Sequence, residues 1–374
     1  MNNAGKARNR IRLLVAAVLL ALPIAVGHAQ TEREKWLEEQ VQALLQRVDQ
    51  LESRLQQVEG QPQPAQPAGE LADATGTSKP TSNELTWQWK NGLSVSSEDG
   101  AYQFKVGGRI HSDWYMGSID DGDFPDGTRF RRARINLSGR IYEDIEFRTE
   151  YDFTGDGGGN FKDVYMGYTG WEPASLRIGY MKEPFGLEQL TSANDIPFME
   201  RGLTSSLLST RETGLMIFDE DVWDQRITWA VGVYKNTNNF GDGEEDDLED
   251  GNWDLTARLT GLPWYEDEGR KLLHLGVAGS HRDWSDEPMR LRSRGTFSRG
   301  DYLIDTATFN ADTFDLLGAE AALVYGPASL QAEYFYADVD PTFGGSQSIH
   351  AYYVMGSFFL TGVHRPYKAG IVSR

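Results

Sequence analysis

The 374-residue sequence contains no cysteine, which excludes a disulfide framework and any thiolate metal site. Beyond its first thirty residues it has no apolar run long enough for a membrane helix, so a place in a membrane could only be that of a β-barrel. Positive charge is scarce. With 36 Lys and Arg against 56 Asp and Glu, the formal net charge is −20, which argues against a general nucleic-acid binder because a duplex would be repelled. The six histidines show no HExxH spacing and no Walker glycine loop is present, so the sequence calls for no metal, no cofactor and no nucleotide.

What the chain does have is glycine, 40 residues of it, and aromatics at 11%, a composition suited to many strands joined by tight turns with rings free for interfacial girdles. Its most informative stretch runs from Arg129 to Arg201. There Ala133, Ile135 and Leu137 alternate with Arg132, Arg134, Asn136, Ser138 and Arg140. After a turn at Glu143 and Asp144, Phe147, Tyr151 and Phe153 alternate with Glu146, Arg148, Glu150 and Asp152. A two-residue period held over runs of about ten residues is the length a tilted strand needs to cross a bilayer. In a soluble sandwich the inner face is dominated by branched aliphatics. Here one face is aromatic with small residues between, and the other carries dense charge of both signs, as in a barrel with lipid outside and water inside.

Earlier, Tyr102, Phe104, Val106, Ile110 and Trp114 alternate with Gln103, Lys105, Arg109, His111, Asp113 and Tyr115. Further strand candidates lie at 161–169, 174–182, 213–219, 226–236, 252–262, 271–281, 314–325, 328–337 and 349–361. Short turns such as Gly326-Pro327 alternate with long polar connections at 183–212, 236–251 and 283–300, the connectivity of a membrane barrel. The expected fold class is therefore all-β, an antiparallel transmembrane barrel over 85–374.

The N-terminal part reads differently. Residues 1–29 have a basic start, an apolar middle from Leu13 to Val26 and a small-x-small site at Gly27-His28-Ala29, the pattern of a cleaved export signal. Over 30–59 the period becomes that of a heptad, with Val41, Val48 and Leu55 at one core position and Leu37, Leu44, Leu51 and Val58 at the other, predicting an α-helical coiled coil. Residues 60–84 are rich in Pro, Gln, Ala and Thr and read as a flexible linker. The acidic run Gly241–Gly251 reads as a solvated loop tip, with a divalent-cation site as the sharper alternative that no ligand spacing supports.

The motifs GGRIHSDW, FRRARINLSGRIYEDIEFRTEYDF, FKDVYMGY, GYMKEPFGLEQLTSANDIPFMER and RETGLMIF resemble, in that order, the phosphate-selective porin O and P family. The tandem arginines and the KEPFGLEQLTS run carry the resemblance, since strand geometry demands neither. It implies a sixteen-stranded barrel in the outer membrane of a Gram-negative bacterium, trimeric, with the coiled coil in the periplasm and one loop, Pro184 to Arg211, folded into the lumen. It further implies passive uptake of small anions, phosphate or polyphosphate above all. By resemblance Arg109, Arg131 and Arg132 match anion-binding positions and Asp163 a lumen-facing aspartate. Arg134 shares the inward parity of Arg132, and Lys182 is a pore cation by its place before the loop. Arg131 has the opposite parity and points inward only if a bulge re-aims it. Against the family pattern, the chain stops at GIVSR and shows about thirteen strand candidates before Tyr367, so the last strands are expected to be missing.

Three other readings stay open from the residues. The arginines could simply brace the wall by pairing with Glu146, Glu150, Asp113 and Asp152. The channel could be a general diffusion porin, or the barrel an anchor for an envelope-tethering coiled coil. An enzyme built on His111, Ser112 and Asp113 is disfavoured, because adjacent strand positions point to opposite faces.

Overall fold

The computed structural model describes residues 85–89, 92–116, 126–154, 159–241, 253–295, 298–299 and 301–372. The export signal, coiled coil, linker and acidic run at 242–250 lie outside the described residues.

Alternation becomes strand almost everywhere it was read. The first half forms β1 (Leu85–Trp89), β2 (Leu93–Ser97), β3 (Tyr102–Tyr115), β4 (Gly127–Ile141), β5 (Ile145–Asp152), β6 (Asn160–Tyr168) and β7 (Ser175–Met181). The second forms β8 (Glu212–Val222), β9 (Ile227–Lys235), β10 (Asp254–Glu266), β11 (Lys271–Met289), β12 (Arg292–Ser293), β13 (Ile304–Asp305), β14 (Phe309–Tyr325), β15 (Ala328–Pro341) and β16 (Gln347–Phe358). After them come β17 (Tyr367–Lys368) and β18 (Ile371–Val372). From β1 to β11 and on through β14, β15 and β16, each strand pairs antiparallel with the next in one sheet of fourteen strands; β12 and β13 stand aside as a hairpin within the β11–β14 connection, and β17 and β18 pair only with each other. Against about thirteen strand candidates in the sequence, the sheet has fourteen strands among the described residues, β1 and β2 being ones that alternation did not show. Residues 283–289, expected as loop, continue β11 instead.

The sheet has two unlike faces, as a period of two requires. Outward on β14 lie Asp315, Leu317, Ala319, Ala321, Leu323 and Tyr325, with Leu317 60% exposed. Val277 and Val354, 57% and 68% exposed, continue the apolar belt on β11 and β16. In water each such side chain would forgo about 1.5–3 kcal/mol of burial, a cost that lipid removes. The ten steps from Asp315 to Tyr325, at about 3.3 Å each on a strand tilted about 40°, cover roughly 25 Å, the height of a lipid-facing band. Exposed Tyr142, Tyr168, Trp171, Trp223 and Tyr325 lie at the short-turn end, where interfacial rings belong. Those turns are tight, with positive φ at Tyr142, Glu143, Trp223, Asp224, Gln225, Asp267 and Glu268.

The connection from Lys182 to Arg211 folds onto the inner face. It opens with α1 (Leu187–Leu190), entered through Gly186 at φ 78°. Phe185 stacks near Phe335 with ring centroids 5.9 Å apart, and a Cβ at Gly318 would come within 3.0 Å of the Phe185 ring. Leu207 and Leu208 join Phe314, Leu316 and Phe335 in the largest apolar cluster. Residues 359–372 also turn inward: Val372 packs with Leu187, Leu262 and Leu272, and Arg258 donates 2.8 Å to the Gly370 carbonyl.

Candidate functional site

Four strands and the inward connection converge on one basic strip. In β3 and β4 the pairing runs Arg109 opposite Arg134 and His111 opposite Arg132, then slips so that Ser112 faces Phe130. The residue left over is Arg131. This bulge turns Arg131 to the inner side beside Arg132, while Phe130 stays outward and exposed. A second slip, between Thr149 and Tyr151, leaves the β6 segment between Val164 and Phe161 one residue longer than the β5 residue it faces, Glu150; Lys162 and Asp163 both line the interior there.

Like charges opposite each other on neighbouring strands repel, so Arg109 and Arg134 need a carboxylate between them. Glu150 supplies it, lying 3.5 Å from Arg109, 2.8 Å from Arg134 and 2.7 Å from Arg148. Asp152 holds Arg134 at 2.6 Å, and Asp163 holds Arg211 at 2.8 Å and Arg148 at 3.3 Å. Glu150 is shared by three arginines and Asp163 by two, so bracing consumes only part of the positive charge. The resulting cavity of about 530 Å³ is lined by eleven cationic side chains and four carboxylates.

The inward connection closes one side of this cavity. Arg109 donates to Ser192 and Asn194, both at 3.3 Å, and the His111 ring pairs with Asn194 at 3.1 Å. Lys182 lines the cavity, yet its ammonium is engaged by the carbonyls of Gln189, Leu190 and Thr191 at 2.6, 3.1 and 3.5 Å. Arg201 binds the carbonyls of Glu188, Gln189 and Thr191 at 2.9, 3.2 and 2.6 Å. Burial, reinforced by Arg201 and Arg211, holds the Lys182 ammonium well below the ordinary lysine range. Burial likewise brings Arg201 down to about 10, which leaves it charged at neutral pH.

The model of one family, phosphate-selective porin O and P, matches residues 104–373. The chain belongs to this family of outer-membrane porins. Porin O of Pseudomonas aeruginosa is 28% identical over 324 residues, covering 78% of this chain and 72% of that protein. An uncharacterized protein of Caulobacter vibrioides is 26% identical over 392 residues, covering 97% of this chain and 78% of its own length. Family membership points to a channel rather than an enzyme. In this porin His111 and Asp113 face inward while Ser112 faces out, so the three do not meet.

All six residues singled out in the sequence, Arg109, Arg131, Arg132, Arg134, Asp163 and Lys182, border the same cavity. Sequence reading missed Lys162, whose parity pointed outward, and Arg177, Arg201, Arg211 and Arg258, which also line it. Arg201 and Arg211 stand at the FMER and TRETGL motifs, a signal that could have found them.

Proposed function

We propose that this porin passes small anions across the outer membrane along the arginine strip, with phosphate-type oxyanions favoured. The observation that carries the reading is a wall with more than two cations per carboxylate in a chain whose net charge is −20. Guanidinium groups suit such ions because a planar fork donates two bonds to two oxygens and keeps its charge at any working pH. Arg131 and Arg132 come first, then Arg109 and Arg134, then Arg148 and Arg211, so an ion exchanges water for several partial contacts and can leave each in turn. Lys182 adds to the field while holding the connection in shape. The description of the family agrees with this choice of ion.

The same reading takes 1–29 as an export signal, 30–59 as a periplasmic coiled coil joined by the linker 60–84, and the assembly as a trimer in the lipid of the outer membrane. A second reading, a diffusion porin with little anion preference, draws support from the pairing of Glu150, Asp152 and Asp163 with arginines. The test is block of chloride current by added phosphate in planar bilayers. Block that weakens roughly tenfold in Arg132→Ala, the scale of one charge-assisted contact, supports the oxyanion path. Block absent from the wild-type channel, or unchanged in the variant, supports the diffusion porin.

A further inference from the structure

The carboxylates that brace the strip belong to the strands of the wall, with one exception. Glu200 arrives on the inward connection and accepts from both guanidiniums at the bulge: from Arg131 Nε, from Arg131 Nη2 at 3.0 Å and from Arg132 Nη2 at 2.9 Å. One fork and one further donor on a single carboxylate is the contact set that a bound oxyanion takes. Arg132 is 4% exposed in its side chain, so little water competes there. Arg132 also borders a second cavity, of about 590 Å³, lined by His111, Asn194, Phe198 and Met199. The Glu200 contact thus sits on an arginine that both cavities share.

The connection does not need this contact to keep its place. Its other end is fixed to the opposite wall by Glu333, which accepts from the Leu187 and Glu188 amides, and by the packing of Phe185, Leu207 and Leu208. Arg201, beside Glu200, is tied to three carbonyls within the connection itself.

We propose that Glu200 is a tethered competitor: its carboxylate occupies the Arg131–Arg132 site and is displaced by each oxyanion that enters. This inference rests on the anion-channel reading above. A tethered rival at high local concentration reduces the apparent affinity of the site without altering its chemistry. Weak net binding is what a conducting site needs, since an ion held by two desolvated arginines with nothing to replace it would leave slowly. Glu200 therefore sets the concentration at which phosphate saturates the channel and speeds its release.

The test compares half-block of chloride current by inorganic phosphate in wild type, Glu200→Gln, Glu200→Asp and Asp195→Asn, each first shown to be heat-modifiable and so folded. Asp195 lies on the same connection, and its substitution removes an equal charge without touching Arg131 or Arg132. The expected result is a half-block concentration about tenfold lower in Glu200→Gln, with Glu200→Asp between it and wild type and Asp195→Asn close to wild type. Half-block unchanged or raised in Glu200→Gln, or lowered equally in Asp195→Asn, overturns the inference while Arg132→Ala still weakens block. If Glu200→Gln does not fold, Glu200→Asp decides: a lowered half-block supports competition and an unchanged or raised one overturns it. Cation selectivity of the wild-type channel would instead remove the functional reading on which the inference rests.

Discussion

The Leu187 amide donates a 2.5 Å hydrogen bond to Glu333 Oε1, joining the inward connection to the far wall of the porin. The Glu188 amide takes the other oxygen at 2.9 Å, so one buried carboxylate satisfies two amides at the start of α1 that the helix itself cannot. Between this anchor and the Arg109 contacts with Ser192 and Asn194, the connection spans the interior.

Loss of that anchor should loosen the connection. Glu333→Ala leaves two buried amides without acceptors, a cost of about 1–3 kcal/mol each. The expected outcome is larger and noisier single-channel conductance with faster proteolysis between 182 and 211. Conductance and cleavage equal to wild type would mean that apolar packing alone holds the connection.

Lys182 should matter for stability more than for ion choice. Lys182→Met removes one donor from three carbonyls, of which Gln189 and Thr191 keep Arg201, and loss of such contacts is worth about 1–3 kcal/mol. Thermal unfolding in detergent should move down while phosphate half-block stays within about twofold of wild type, well short of a charge-assisted contact's worth. A loss of block as large as that of Arg132→Ala would make Lys182 an ion-binding cation in its own right.

Glu188 gives the fold a pH dependence. Burial raises its pKa above the usual carboxylate range, partly offset by the Gly202 amide and by Arg201. Between the unfolded value of about 4.3 and the raised folded one, the folded state binds more protons than the unfolded. Stability linked to this group is thus complete below the unfolded value, falls as pH rises through that window, and is lost once pH has passed the raised folded value. Glu188→Gln should raise the unfolding midpoint at pH 7 relative to wild type and leave it unchanged below about pH 4. A lower midpoint at pH 7 would show that the charge itself holds Gly202.

Ala319 separates a lipid-facing sheet from a water-facing one. Arginine in its place, one step from the middle of the band from Asp315 to Tyr325, should destabilise by about 2–4 kcal/mol. On a water-exposed surface the same change would fall within about 0.5 kcal/mol. Denaturant unfolding after reconstitution into lipid distinguishes the two.

Much of the wall was legible in the sequence. The alternation of Arg132, Arg134 and Asn136 with Ala133, Ile135 and Leu137 sets β4 and its facing without any partner strand. By contrast, β1 and β2 are five residues each, too short and too polar in Leu93–Ser97 for a period to stand out. The inward aim of Arg131 was conditional because a bulge is a property of two strands, fixed here by where Ser112 meets Phe130. Lys162 escaped for the same reason. The pairing of Arg132 with Glu200 spans 68 positions and had no local signature at all. Nor did the sequence show that residues 359–372 turn inside the sheet: their packing on Leu187 and Leu272 depends on how the inward connection is placed.

The most direct test of the account is the reversal potential of the purified wild-type porin in a planar bilayer under a potassium chloride gradient. The account predicts the sign of a channel that favours chloride, despite the net charge of −20 on the chain. A reversal potential of the opposite sign, favouring potassium, would contradict it.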